Sequence, residues 1–163
     1  MLIITLIKEF YRFYTCPIFF LSSTNGVKKL SATCLCGYFH NWNLNSLQSI
    51  TKHPEITEKL DKCNHTIWGG RFLHQNRNVL VTFDGSGSVK VLKYKYKDNI
   101  LDSTKNPSMI EPSCVEKLQE TQISEQPISA FDWSPDKLGL AVSTSFDQKI
   151  RVLAVTNLEN CDY

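Results

Sequence analysis

Apolar and polar residues alternate with a period of two along most of the chain, and this alternation predicts strands rather than helices. The pattern is cleanest toward the C-terminus. Ile128 to Ser134 (ISAFDWS), Leu140 to Ser145 (LAVSTS) and Lys149 to Val155 (KIRVLAV) are separated by turns at Pro135 to Gly139 and Phe146 to Gln148, which predicts an antiparallel meander. The same order occurs upstream, where Thr66 to Leu73, Val79 to Phe83 and Ser88 to Tyr96 flank a polar turn at His74 to Asn78 and a glycine turn at Asp84 to Gly87. A third, shorter copy consists of Lys29 to Leu35 and Tyr38 to Leu44 around Cys36-Gly37, and reads as the second and third strands of a unit without its first. Aligning Trp68 with Trp133 spaces the two fuller copies by 65 residues (68 to 133). That exceeds the about 40 to 45 residues of a plain four-stranded repeat. The polar, proline-containing stretch Lys97 to Pro112 is therefore read as an inserted surface loop, with Cys114 to Ile123 as the outer strand of the last unit. Trp68 and Trp133, placed at equivalent first-strand positions, are expected to be buried between units.

The stretch Trp133-Ser134-Pro135-Asp136, a strand, and then Ser145-Phe146-Asp147-Gln148-Lys149-Ile150-Arg151-Val152 resembles a blade of the WD-repeat β-propeller family. Within that family the residues from about Gly26 to Leu158 resemble the C-terminal third of the Monad group of axonemal dynein assembly factors. The resemblance implies an all-β fold, an incomplete propeller of about two four-stranded blades and a partial third. It divides the chain into an unmatched segment 1–25, a partial blade 26–60, a blade with its insertion loop 61–112, a C-terminal blade 113–158 and a tail 159–163. It also implies a cytoplasmic, non-catalytic scaffold whose partners are a prefoldin-like co-chaperone assembly with RuvB-like ATPases and dynein heavy chains. A familiar blade is held by a His, Ser/Thr, Asp, Trp hydrogen-bond tetrad. Here Asp147 fits the turn aspartate and Ser143 the strand hydroxyl, while Ser124 stands near the histidine position and Leu153-Ala154 replaces the Trp-Asp pair. In the middle blade Ser86, Leu92-Lys93 and Cys63 take those places, and the first copy keeps Trp42-Asn43. Asp147, Ser143, Trp133, Trp68 and Trp42 are the structural residues the resemblance selects.

Composition fits this reading. Of 163 residues 42% are hydrophobic, with nine Phe, six Tyr and three Trp, enough to form a core, and the formal net charge of +2 excludes a polybasic nucleic-acid arm. Lys8, Glu9 and Arg12 interrupt the apolar N-terminus, so neither a membrane span nor a secretory leader is expected. Met1 to Ile7 has the composition of a strand. The six cysteines are expected to be reduced, and the Asn64-His65-Thr66 sequon unused.

Other chemistries find less support in the sequence. Cys34, Cys36, Cys63 and His65 offer four zinc donors, but Cys34 lies inside an apolar run that suits a small buried thiol, so no metal or other cofactor is expected. Gly85-Ser86-Gly87 opens onto a strand instead of a helix, which makes it a hairpin turn and not a phosphate loop. Lys93-Tyr94-Lys95-Tyr96-Lys97 interleaves cations and aromatics as single-strand nucleic-acid platforms do. Strand alternation, however, puts the tyrosines on one face and the lysines on the other, and no nucleic-acid partner is expected. His40, His53, His65 and His74 accompany no nucleophile motif, so no enzyme is expected. A chain of two and a half blades is an open arc, since rings close with about four or more. A poorly soluble or self-associating chain, or a weakly functional fragment, is the second reading.

Overall fold

The computed structural model of the chain describes residues 18–24, 27–33, 37–43, 56–59, 65–96 and 112–158. Every regular element among them is a strand. The first sheet has the order β1 (Ile18–Thr24), β2 (Val27–Thr33), β3 (Tyr38–Asn43), β4 (Ile56–Lys59). The second runs β5 (Ile67–Phe72), β6 (Val79–Asp84), β7 (Ser88–Tyr96), β8 (Pro112–Gln122). The third comprises β9 (Ile128–Trp133), β10 (Leu140–Ser145) and β11 (Ile150–Ala154). All pairings are antiparallel between sequential strands, as tight turns dictate.

The all-β expectation of two four-stranded sheets and an incomplete third holds among the described residues, but the strands are shared out differently. The strand around Cys114 hydrogen-bonds to β7 along Ser88 to Tyr96, and so completes the second sheet where it was expected to open the third. The first sheet gains β1, which lies within the segment read as unmatched, and the three-stranded sheet is the C-terminal one.

The spacing of the copies also differs. Ile67 pairs with Asp84 and Gly69 with Phe83, which leaves Trp68 as an extra residue without a partner in the ladder. Ile128 pairs with Ser145 and Ala130 with Thr144, so Ser129 is the same extra residue one sheet later. The repeat is therefore 61 residues (67 to 128), and Phe72, not Trp68, is the counterpart of Trp133. A bulge residue is freed from the in-out alternation of its strand. Trp68 accordingly turns outward and is 36% exposed, contrary to its expected burial, while Trp133 is 3% exposed. The bulge also needs a glycine beside it: a Cβ on Gly69 would sit 2.4 Å from Cζ of Phe83.

The sheets stack face to face. β6 is buried at all six positions because it is a middle strand covered on both sides. One of its faces, with Val79, Val81 and Phe83, joins Val89 and Val91 of β7 against Phe131, Trp133 and Ala141 of the third sheet. The other, with Leu80, joins Phe72, Leu92 and Tyr94 against Phe39 of the first. The first strand of each sheet neighbours the first strand of the next, β1 beside β5 and β5 beside β9.

Candidate interaction surface

Three chain turns meet at one end of the second and third sheets: the β6 to β7 turn, the connection from β8 to β9, and the β10 to β11 turn. Gly87 and Gln148 hold the same position in the two hairpin turns and both adopt positive φ, 83° and 61°. The connection is tied to the first turn by Ile123 N and Ser124 N, which donate to Gly87 O at 2.9 and 3.2 Å.

Each hairpin turn is built on a carboxylate. Asp84 Oδ1 accepts Ser86 N at 2.9 Å, Ser88 N at 3.1 Å and the Ser86 hydroxyl at 2.5 Å, and its Oδ2 takes Lys90 Nζ at 3.0 Å. The side chains of Lys90 and Asp84 are 4% and 2% exposed, and Glu120 Oε1 lies 3.6 Å from the same ammonium. In the next turn Asp147 accepts Lys149 N at 3.1 Å, the Ser145 hydroxyl, the Arg151 guanidinium in a bidentate pair, and the Ser124 hydroxyl at 3.3 Å. The hydrogen bonds from Arg151 and Ser145 hold the Asp147 carboxyl well below the usual carboxylate range, and Asp147 in turn raises Arg151.

The sequence-selected residues are thus distributed as follows. Asp147 lies at the centre of the second network with Ser124. The hydroxyl that meets it there is Ser145; Ser143 is buried on β10 opposite Arg151 and Phe131. Trp133 closes β9 in the core and donates from Nε1 to Arg71 O at 3.4 Å. Trp42 is buried on β3, its ring 5.9 Å from that of His40. Burial lowers the His40 pKa. Sequence reasoning did not single out Lys90 and Arg151. The available signal was a cation at an inward-facing strand position, six residues after Asp84 in one copy and four after Asp147 in the other. Cys34, Cys36, Cys63, His53, the insertion 97–111, Met1 to Ile7 and the tail 159–163 lie outside the described residues. His65 is exposed. Tyr94 turns inward and Lys95 outward, as the strand alternation requires.

With Asp84 and Asp147 held in ion pairs, the two hairpin turns at this end of the molecule offer aromatic area more than reactive groups. Trp68, thrown outward by its bulge, meets Phe146 from the β10 to β11 turn in an edge contact, with ring centroids 5.3 Å apart and planes at 75°. Phe146 is 56% exposed. Its counterpart in the preceding turn is Gly85, where a Cβ would come within 3.2 Å of the Trp68 Nε1 atom. Neither aromatic is repeated in the neighbouring sheet, so stacking of the sheets does not require them. Exposed aromatics of this kind are what protein interfaces are enriched in. Among the described residues no group of three or more His, Cys, Asp or Glu could hold a metal ion, and no helix is long and apolar enough to cross a membrane.

Four-stranded antiparallel sheets stacked face to face, with their first strands adjacent, define an open arc of a β-propeller. Comparison with solved structures gives the same fold: the chain is similar to two crystal structures of Sqt1 from Chaetomium thermophilum, with TM-scores of 0.60 and 0.61 at 18% identity. Those matches cover 85% and 88% of this chain and 30% and 31% of the other. No protein-family model matches the chain. Among curated proteins it is similar to Dynein axonemal assembly factor 10 from Homo sapiens, 40% identical over 146 residues, and to that from Chlamydomonas reinhardtii, 35% identical over 150. Each of these alignments takes in 88% of this chain, which spans about 40% of the length of the relatives it matches.

Proposed function

We propose that the chain is a non-catalytic interaction scaffold in the assembly of axonemal dyneins. The observation that carries this reading is the 40% identity over 146 residues with a protein named as a dynein axonemal assembly factor. The geometry supports it, since the described surface presents an aromatic pair, Trp68 at a strand bulge and Phe146 on a turn, while Asp84 and Asp147 are engaged in structural ion pairs. In finer detail, the chain is a WD-repeat protein of the Monad type, working in the cytoplasm. Its partners are a prefoldin-like co-chaperone assembly with RuvB-like ATPases, and the client is the dynein heavy chain.

A replacement experiment tests this. In Chlamydomonas reinhardtii lacking its own assembly factor 10, a gene whose matched region is exchanged for this chain should restore axonemal dynein arms. The exchanged protein should also co-purify with recombinant RuvB-like ATPase. Restoration absent at normal protein levels would overturn the proposal. The alternative of a weakly functional fragment is favoured by one observation, the exposure of Val142, Ile150 and Val152 on the third sheet, and predicts that the isolated chain binds none of these partners.

A further inference from the structure

The rings of Trp68 and Phe146 meet edge to face, and 36% and 56% of the two residues stay exposed. Two ring planes at 75° form a notch with apolar walls. The notch also carries a polar group. Trp133 donates its indole N–H to Arg71 O, whereas among the described residues the Trp68 Nε1–H meets no acceptor. Beside that donor stands Gly85, where a Cβ would lie 3.2 Å from Nε1, so the glycine keeps the approach clear. Tryptophan suits interfaces because its apolar ring and its N–H can both be engaged there.

The groups around the notch narrow what can occupy it. A strand added by main-chain pairing needs open backbone amides, but Gly85 N and Phe146 N already donate to Thr66 O and Pro127 O at 2.9 and 3.0 Å. An acidic or phosphorylated motif needs arginines, and Arg151 is held by Asp147. An amphipathic helix needs an apolar groove several turns long, whereas Glu125, Gln126, Gln148 and Lys149, the exposed residues of the neighbouring turns, are polar. A polyproline II segment matches what is offered. Its proline rings pack on aromatic faces and leave no main-chain N–H stranded against them, and its carbonyls make no internal hydrogen bonds, so one of them can accept from an indole.

We propose that Trp68 and Phe146 form a docking notch for a proline-containing segment of a partner protein in the polyproline II conformation, with the Trp68 Nε1–H donating to a carbonyl of that segment. This rests on the reading of the chain as an interaction scaffold, and adds the chemistry of what the scaffold holds.

Decaproline titrated into the isotope-labelled chain, followed through its amide NMR shifts, tests this. The shifts of Gly85 and Phe146 should saturate at about 1 mM peptide or below. Trp68→Phe keeps an aromatic face and removes the N–H, and should weaken binding about fivefold. Trp68→Ala and Phe146→Ala should each weaken it by roughly tenfold or more. An alanine-based helical peptide of equal length should leave those amides unmoved. Absence of saturation, or equal affinity in the wild type and the alanine variants, would overturn the proposal. The replacement strain separates it from the scaffold reading. Dynein arms restored by a chain that does not bind decaproline would remove the proline inference alone, and decaproline bound by a chain that restores no arms would remove the scaffold role alone.

Discussion

Asp84 ends its strand at the place where Ser145 ends the corresponding strand of the next sheet, and two residues later the chemistry is exchanged, Ser86 standing where Asp147 stands. The carboxylate and hydroxyl have traded positions, yet each pair still hydrogen-bonds within the turn and is neutralised by a cation from the same site on the third strand, Lys90 or Arg151. Both turns keep the pair, in reversed order.

This relationship can be tested by exchange. Asp84→Ser alone removes the carboxylate 3.0 Å from a buried ammonium, and should cost about 3 kcal/mol, the lower end for breaking a buried ion pair. The double change Asp84→Ser with Ser86→Asp should recover a substantial part of that loss. Urea denaturation midpoints of the three proteins decide it, and a double variant no more stable than the single would show that the order matters after all.

Asp147 should reveal itself in acid. Its carboxyl titrates below the ordinary value of 3.8, chiefly through hydrogen bonds from Arg151 and Ser145. A depressed carboxylate stabilises the fold above its unfolded pKa, and that contribution disappears as pH falls through the folded value. Asp147→Ala should therefore lower the melting temperature at neutral pH, and the gap between variant and wild type should narrow steadily below about pH 4.

His40 acts in the same direction for a different reason. Burial depresses its pKa from 6.5, so the unfolded chain binds the proton more readily than the folded one. Stability from this site is complete well above the ordinary value of 6.5 and declines as the pH falls through and below it. Replacement by Gln should flatten that part of the pH-stability curve.

Of the three tryptophans, Trp42 and Trp133 are buried at 1% and 3% exposure and Trp68 is open. Acrylamide should quench one component of the emission strongly, and Trp68→Ser should remove that component with little change in stability. Trp133→Ala should cost about 3–5 kcal/mol.

Gly87 and Gln148 share a backbone conformation but not a tolerance for change. A Cβ on Gly87 would lie 2.1 Å from Ser124 O, where the β8 to β9 connection crosses the turn, whereas Gln148 is exposed. Gly87→Ala should destabilise the protein by about 1–3 kcal/mol, and Gln148→Ala by distinctly less. Equal shifts in the denaturation midpoint would count against the crossing as the cause.

Strands such as Leu140–Ser145 were legible because alternation is a local property of the sequence. What alternation cannot show is which neighbour a strand joins: the strand around Cys114 was found, but its partner β7 is fixed by hydrogen bonding across a long insertion. The repeat length was misjudged for a similarly physical reason. Trp68 is a bulge residue, and a bulge breaks the period from which alignment is read. Asp147 could be placed from its turn, whereas its cation Arg151 could not, since alternation alone does not say which strand residue reaches a carboxylate.

The seam between the first and second sheets differs in kind from the one that follows. Ser31, Asn41 and Tyr94 cluster there: both hydroxyls lie within hydrogen-bonding distance of Asn41 Oδ1, at 2.9 and 2.7 Å, and 3.0 Å from each other, so two hydroxyl protons serve three contacts, with no residue more than 1% exposed. The next seam is apolar and would accept many shapes of similar volume. A hydrogen-bonded cluster in a buried seam penalises a mismatched partner by leaving polar groups unsatisfied. The first seam therefore works as a key and the second as plain adhesive. In a molecule of similar stacked units, such a junction disfavours docking of the first sheet against any face that cannot answer its polar groups.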